Sequence, residues 1–165
     1  MSDLIIVYKV SKQNQINVIK KSKFYYILFF ASTFSYFFID IKFCLYFTLL
    51  IFIPILIQII IHLDYYLNDK NKEIEINFSN RIITIKKNNS KDSFSFNDIK
   101  SILIRKGHIN ASNDPNALPF SFYNHTTIKL LNEKEYVFTD LLCQRLNIFE
   151  LNKLTKSKVN LLNII

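Results

Sequence analysis

The sequence predicts an α+β membrane protein: a two-helix transmembrane hairpin near the N-terminus, then a small antiparallel β-sheet or barrel with a C-terminal helix. Three observations carry this. Between Phe24 and Leu63 the only charged residues are Asp40 and Lys42, and 13 of the chain's 25 aromatic residues fall in that stretch. From Asn71 onward, apolar and polar residues alternate with the period of a half-buried strand. Near residue 147 the apolar spacing becomes helical.

The apolar stretch divides at its charged pair. Phe24–Ile39 and Phe43–Leu63 each lack charge. At 1.5 Å per residue, the second is roughly 31 Å long, the thickness of a hydrocarbon core, and the first roughly 24 Å. One continuous helix would place Asp40 and Lys42 in mid-bilayer, where charge is costly. Two spans, 24–41 and 43–63 with a turn at 40–42, put the pair in water. A buried hairpin in a soluble protein, a cleaved signal peptide and a re-entrant loop are the competing readings; the shortness of the first span keeps the last one open. Pro54 and Gln58 lie on one face of the second span, four residues apart. Both are expected in intramembrane packing, Gln58 bonding locally or to a hydroxyl of the first helix (Ser32, Thr33 or Ser35).

The net charge of +8 comprises +4 in residues 1–23 and +4 in residues 64–165, with Asp40 and Lys42 cancelling. Lysines crowd before the first span (Lys9, Lys12, Lys20, Lys21 and Lys23), and Lys70 and Lys72 follow the second. The positive-inside rule then sets both termini in the cytoplasm and the protein in the cell (inner) membrane as a multi-pass chain. Residues 1–23 form a cytoplasmic segment, in which 4–10 (LIIVYKV) can be a strand joining the later sheet. Lys20, Lys21 and Lys23 are candidate contacts for anionic lipid. The basic residues of the remainder are spread, which argues against nucleic acid.

Residues 64–165 read as strands with polar turns: EIEINF (73–78), RIITIKK (81–87) after the turn SNR, SFSF after the loop NNSKD, IKSILIRK (99–106), TTIKLL (126–131) and EYVF (135–138). Asn147 and Glu150 make a capping-box-like start, with Ile148, Leu151 and Leu154 on one face, for a helix over about 147–157. The loop 106–125 is long for a meander and ends in Phe120, Phe122 and Tyr123, candidate partner contacts or the start of the next strand.

IEINFSNRIITIKK (74–87), SFSFNDIKSILI (93–104) and IKLLNEKEYVFTDLL (128–142), behind two hydrophobic spans, resemble small bacterial membrane proteins carrying a pleckstrin-homology-like domain. The resemblance covers roughly residues 24–157. It implies a bent, partly open antiparallel barrel closed by the C-terminal helix, and a binding or scaffolding role without a catalytic centre. In eukaryotic relatives a basic loop between early strands holds inositol phosphates. The nearest equivalent is Lys86, Lys87 and Lys91 in KKNNSK, a candidate for generic anionic-lipid contact.

Catalytic and metal chemistry find no support. Cys44 and Cys143 stand ninety-nine residues apart, and one glycine, Gly107, rules out every glycine-rich phosphate motif. His108, His125 and Asp114 could be imagined as ligands, but no spacing supports them; His62 sits at the end of a span. The expectation is a non-enzyme without cofactor. It presents its domain at the inner face to the bilayer and to a protein partner of unknown identity. The alternative is an accessory subunit of a transporter or envelope complex, in which Pro54 and Gln58 pack against a larger bundle.

Overall fold

The first strand, β1 (Ile5–Lys9), pairs antiparallel with β2 (Lys72–Asn77), with Lys9 facing Glu73 and Ile5 facing Asn77. Everything between them is helical. The computed structural model describes residues 4–38, 40–107, 117–143, 149–159 and 164–165. The long apolar stretch is thus an insertion between two adjacent strands, and both of its ends return to one sheet.

Helix α1 (Lys12–Lys21) starts at Ser11, whose hydroxyl accepts the Asn14 N–H, and passes through Ser22 into α2 (Lys23–Phe34). The predicted first span, 24–41, does not form one membrane-length helix: α2 is 12 residues, roughly 18 Å, and the chain reaches the tip only through the 3-10 turn that follows it. Its own small polar residues explain the stop. Ser32, Thr33 and Ser35 donate back to the carbonyls of Phe29, Phe30 and Ser32, competing with the helical ladder, and the chain tightens into a 3-10 turn at Ser35–Phe37.

Asp40 is not in an extended turn; it caps the next helix. Its carboxylate accepts the N–H groups of Lys42 and Phe43, so Ile41 and Lys42 belong to α3 (Ile41–Asp69). An 18-residue window of α3 reaches a mean hydropathy of 2.6, and α3 is the one described helix long and apolar enough to cross a membrane. It continues uninterrupted through Pro54 and extends six residues beyond the expected end at Leu63.

The two helices pack as a hairpin with polar and aromatic pairs at matched heights. Ser35 meets Cys44 at 3.3 Å, Thr48 donates to Ser32 at 3.2 Å, and the rings of Phe29 and Phe52 lie 5.9 Å apart. Nearer the base, the Tyr26 hydroxyl donates to Gln58 Oε1 at 3.0 Å. Small hydroxyl residues at such a seam allow close approach and satisfy each other in an apolar setting.

Two four-stranded sheets follow. The first runs β1-β2-β3-β4, with β3 (Ile82–Lys87) and β4 (Ser90–Ser95). The second runs β7-β6-β5-β8, with β5 (Ile99–Lys106), β6 (Asn124–Leu130), β7 (Glu135–Thr139) and β8 (Thr155–Val159). Alternation places Ile74, Ile76, Ile83, Ile85, Ile102, Ile128 and Phe138 in one core between them. The loop expected over NNSKD shrinks to a two-residue turn, and SKD belongs to β4. With no glycine to use, the hairpin turns put Arg81, Asn88 and Glu133 at positive φ.

The C-terminal helix expected over 147–157 is also overturned from residue 149 on; residues 147 and 148 lie outside the described residues. Phe149–Leu154 is a 3-10 turn, and Thr155–Val159 is β8, parallel to β5. Leu151 and Leu154, three apart, fit the eclipsed spacing of a 3-10 turn and pack on the core, while TKSKV alternates like a strand. The core is capped as expected, by a tighter element, and the second sheet is mixed rather than wholly antiparallel.

Candidate functional site

The base of the hairpin is where the insertion and the sheets become one body. Between Cys44 and Asp69, α3 buries a single stripe: Cys44, Ile51, Ile55, Gln58, Ile61, Tyr65 and Asp69. Spacings of three, four and seven residues keep these on one face. The tip half of the stripe meets α2, and the base half meets the sheets.

Ile61 and Tyr65 pack with Val18 of α1, Phe120, Tyr123 and Leu141 in a second core. Phe120 and Phe122 lie on a 3-10 turn, Pro119–Phe122, which docks on α3. Phe120, Phe122 and Tyr123 are therefore corrected from partner contacts to interior residues, all three buried. Phe120 and Tyr123 seat the hairpin, while Phe122 packs with Ala117. Gly107 permits this: a Cβ there would lie 2.5 Å from the Ser121 carbonyl oxygen. The chain's only glycine marks a close backbone approach.

Polar groups at the junction are matched across it. His62 Nδ1 and the Tyr123 hydroxyl are 2.9 Å apart, and Tyr65 and His125 Nδ1 are 3.1 Å apart. Burial, reinforced by Arg105, holds the His125 pKa below its ordinary value, against a smaller upward pull from Asp64 and Asp69. At the end of α3, Asp69 accepts the Thr139 N–H and hydroxyl and pairs with Lys72 at 3.0 Å. The Lys72 ammonium also donates to the Val137 carbonyl. Burial lowers the Lys72 pKa more than Asp69 raises it. Gln58, expected to bond locally or to Ser32, Thr33 or Ser35, uses Tyr26 instead. Its Nε2 is buried without a hydrogen bond of good geometry, though the Tyr123 hydroxyl feels the amide. Pro54 lies half-buried one turn closer to the tip.

Beyond this base, the hairpin exposes an apolar surface too large for an ordinary soluble protein: Phe30, Phe34, Phe37, Phe38, Phe43, Leu50 and Ile53 are each more than half exposed. Lys20, Lys21 and Lys23 are exposed where α1 passes into α2, directly beneath it. The other predicted lysines lie elsewhere. Lys86 bridges Glu73 and Glu75, at 3.1 Å each, so it is corrected from lipid contact to cross-strand ion pair. Hydrogen bonds from Lys9 and then Lys86 hold the Glu73 pKa low. Lys87 and Lys91 are exposed, but they flank the β3–β4 turn, whose Asn88 N–H bonds Asn71 just past the end of α3. That is the end away from the tip.

A cleft of about 370 Å³ lies between β4 and the β6–β7 turn. Asp92 spans it, accepting from Lys134 at 2.9 Å and Tyr136 at 3.1 Å, beside the stacked rings of Phe94 and Tyr136. Among the described residues, no group of three or more His, Cys, Asp or Glu side chains could hold a metal. His125 faces Tyr65, while His108 and Asp114 lie outside the described residues.

No curated protein and no solved structure matches the chain. A family model described as PH domain matches residues 7–151, from within β1 to the 3-10 turn that closes the core. The match takes in the helical insertion together with both sheets up to β7, and leaves β8 outside. Two facing sheets over one core, capped by a C-terminal turn, agree with it, and the chain belongs to the PH domain family.

Proposed function

We propose that the protein is an integral membrane protein. In this reading a PH domain is held against the bilayer by the hairpin inserted between its first two strands, and it serves as a non-catalytic binding or scaffolding module. The observation that carries the reading is the exposed apolar surface of α2 and α3, bounded below by Lys20, Lys21 and Lys23 and interrupted at the tip by Asp40 and Lys42. From Ile41 to His62, α3 is roughly 33 Å long, a bilayer's hydrocarbon thickness. The shorter α2 runs beside it, so the hairpin enters tip-first and both termini stay on the side of the sheets. The positive-inside rule, applied to the lysines at the base, supports the cytoplasm as that side.

The accessory-subunit alternative relied on Pro54 and Gln58 meeting a larger bundle. Gln58 is turned inward to Tyr26, which removes its main support.

Alkaline extraction of membranes containing the full chain tests the anchor. The protein is expected in the pellet with integral proteins; release into the supernatant would refute the anchor.

A further inference from the structure

The register of the second sheet shows how α3 crosses it. Thr139, His125, Arg105 and Lys158 form one row across β7, β6, β5 and β8. Asp69 of α3 binds the first of these and Tyr65 the second. One strand step from β7 to β6 therefore corresponds to four residues of α3 towards the tip. Two further steps carry the row to the levels of about Ile61 and Ile57, the start of the exposed apolar surface. β8 is thus the edge of the sheet nearest the bilayer.

That edge is basic. Lys156 and Lys158 are exposed on β8, and Lys158 stands directly across from Arg105. Like charges opposed on neighbouring strands are unfavourable by themselves. Lys106, next in β5 and paired with Val159, points to the opposite face. Among the described residues, neither Lys156 nor Lys158 has an acidic partner. β8 also lies beyond the stretch matched by the family, so the family match assigns it no role.

We infer that the β5–β8 edge, through Lys156 and Lys158 with Arg105 behind them, rests on anionic lipid headgroups of the bilayer that holds the hairpin. This rests on the anchor reading above and extends it: Lys20, Lys21 and Lys23 bear on the same plane from the α1–α2 side. Lys87 and Lys91 do not. They lie past the end of α3, roughly 12 Å further from the tip than His62.

The test uses the full chain carrying Ser157→Cys with a fluorophore, reconstituted in phosphatidylcholine bilayers with and without phosphatidylglycerol. Headgroup-nitroxide lipid serves as quencher. Quenching should rise with phosphatidylglycerol and fall with added salt. Lys156→Gln with Lys158→Gln should cut the ratio of docked to undocked domain by roughly five-fold per lysine. Arginine at both positions should restore it, and Lys87→Gln with Lys91→Gln should leave it unchanged. Quenching indifferent to phosphatidylglycerol, or lost equally in the Lys87/Lys91 variant, overturns the inference while an alkali-resistant chain keeps the anchor. A chain released by alkali overturns both.

Discussion

Asp69, the last residue of α3, accepts two hydrogen bonds from Thr139, 2.8 Å from its N–H and 2.7 Å from its hydroxyl. A carboxylate at a helix C-terminus opposes the helix dipole, so its presence there requires a compensating partner. It has four donors: the Thr139 N–H and hydroxyl, the Asn68 side-chain amide, and Lys72 from the next strand. This latch fixes the direction in which the apolar hairpin leaves the PH domain.

Removing the latch should therefore be severe. Asp69→Ala leaves Lys72 buried beside an unpaired site and should cost about 3–5 kcal/mol. Thr139→Val keeps the ion pair and the backbone donor, and should cost only about 1–3 kcal/mol. Thermal unfolding of the detergent-solubilised chain measures both.

Gly107→Ala should destabilise by about 1–3 kcal/mol, as overpacking does. The methyl group would meet the Ser121 carbonyl and push the Pro119–Phe122 turn away from α3. Loss of protection from hydrogen exchange at Ser121 and Tyr123 would report the displacement. An alanine variant as stable as the parent would show that the turn is not seated as described.

Acid should loosen the junction. His125 has a pKa below its ordinary value of 6.5 in the folded protein, chiefly through burial. Above 6.5 both folded and unfolded forms are neutral, and the contribution to stability is complete. As pH falls below 6.5 the unfolded chain takes up the proton first, and stability drops until the folded-state pKa is reached. Stability measured across that window should fall, and His125→Gln should flatten the dependence.

How much of this was legible in the sequence differs by element. The break at Asp40 and strands β2, β3, β5, β6 and β7 follow from charge placement and two-residue alternation, both local signals. The short α2 was hidden because Ser32, Thr33 and Ser35 read equally well as packing residues and as helix terminators. The 147–157 segment failed for a related reason: Leu151 and Leu154 fit a helix or a 3-10 turn, and β8 is decided by pairing with β5, fifty residues earlier. At the site, the lysines before the first span were visible as a run. The burial of Phe120 and Tyr123 depends on Gly107 and on a helix about a third of the chain away. Lys86 was misassigned because its partners, Glu73 and Glu75, become its neighbours only through strand register.

The most direct test of the central claim compares two single cysteines, Lys42→Cys at the hairpin tip and Asn132→Cys in the β6–β7 turn, in sealed membrane vesicles treated with a membrane-impermeant thiol reagent. The native Cys44 and Cys143 are buried and give the background. The account predicts labelling from opposite faces: Asn132→Cys reacts on the cytoplasmic side, and Lys42→Cys reacts only when the other face is exposed. Labelling of both positions from the same side would contradict a hairpin that crosses the bilayer.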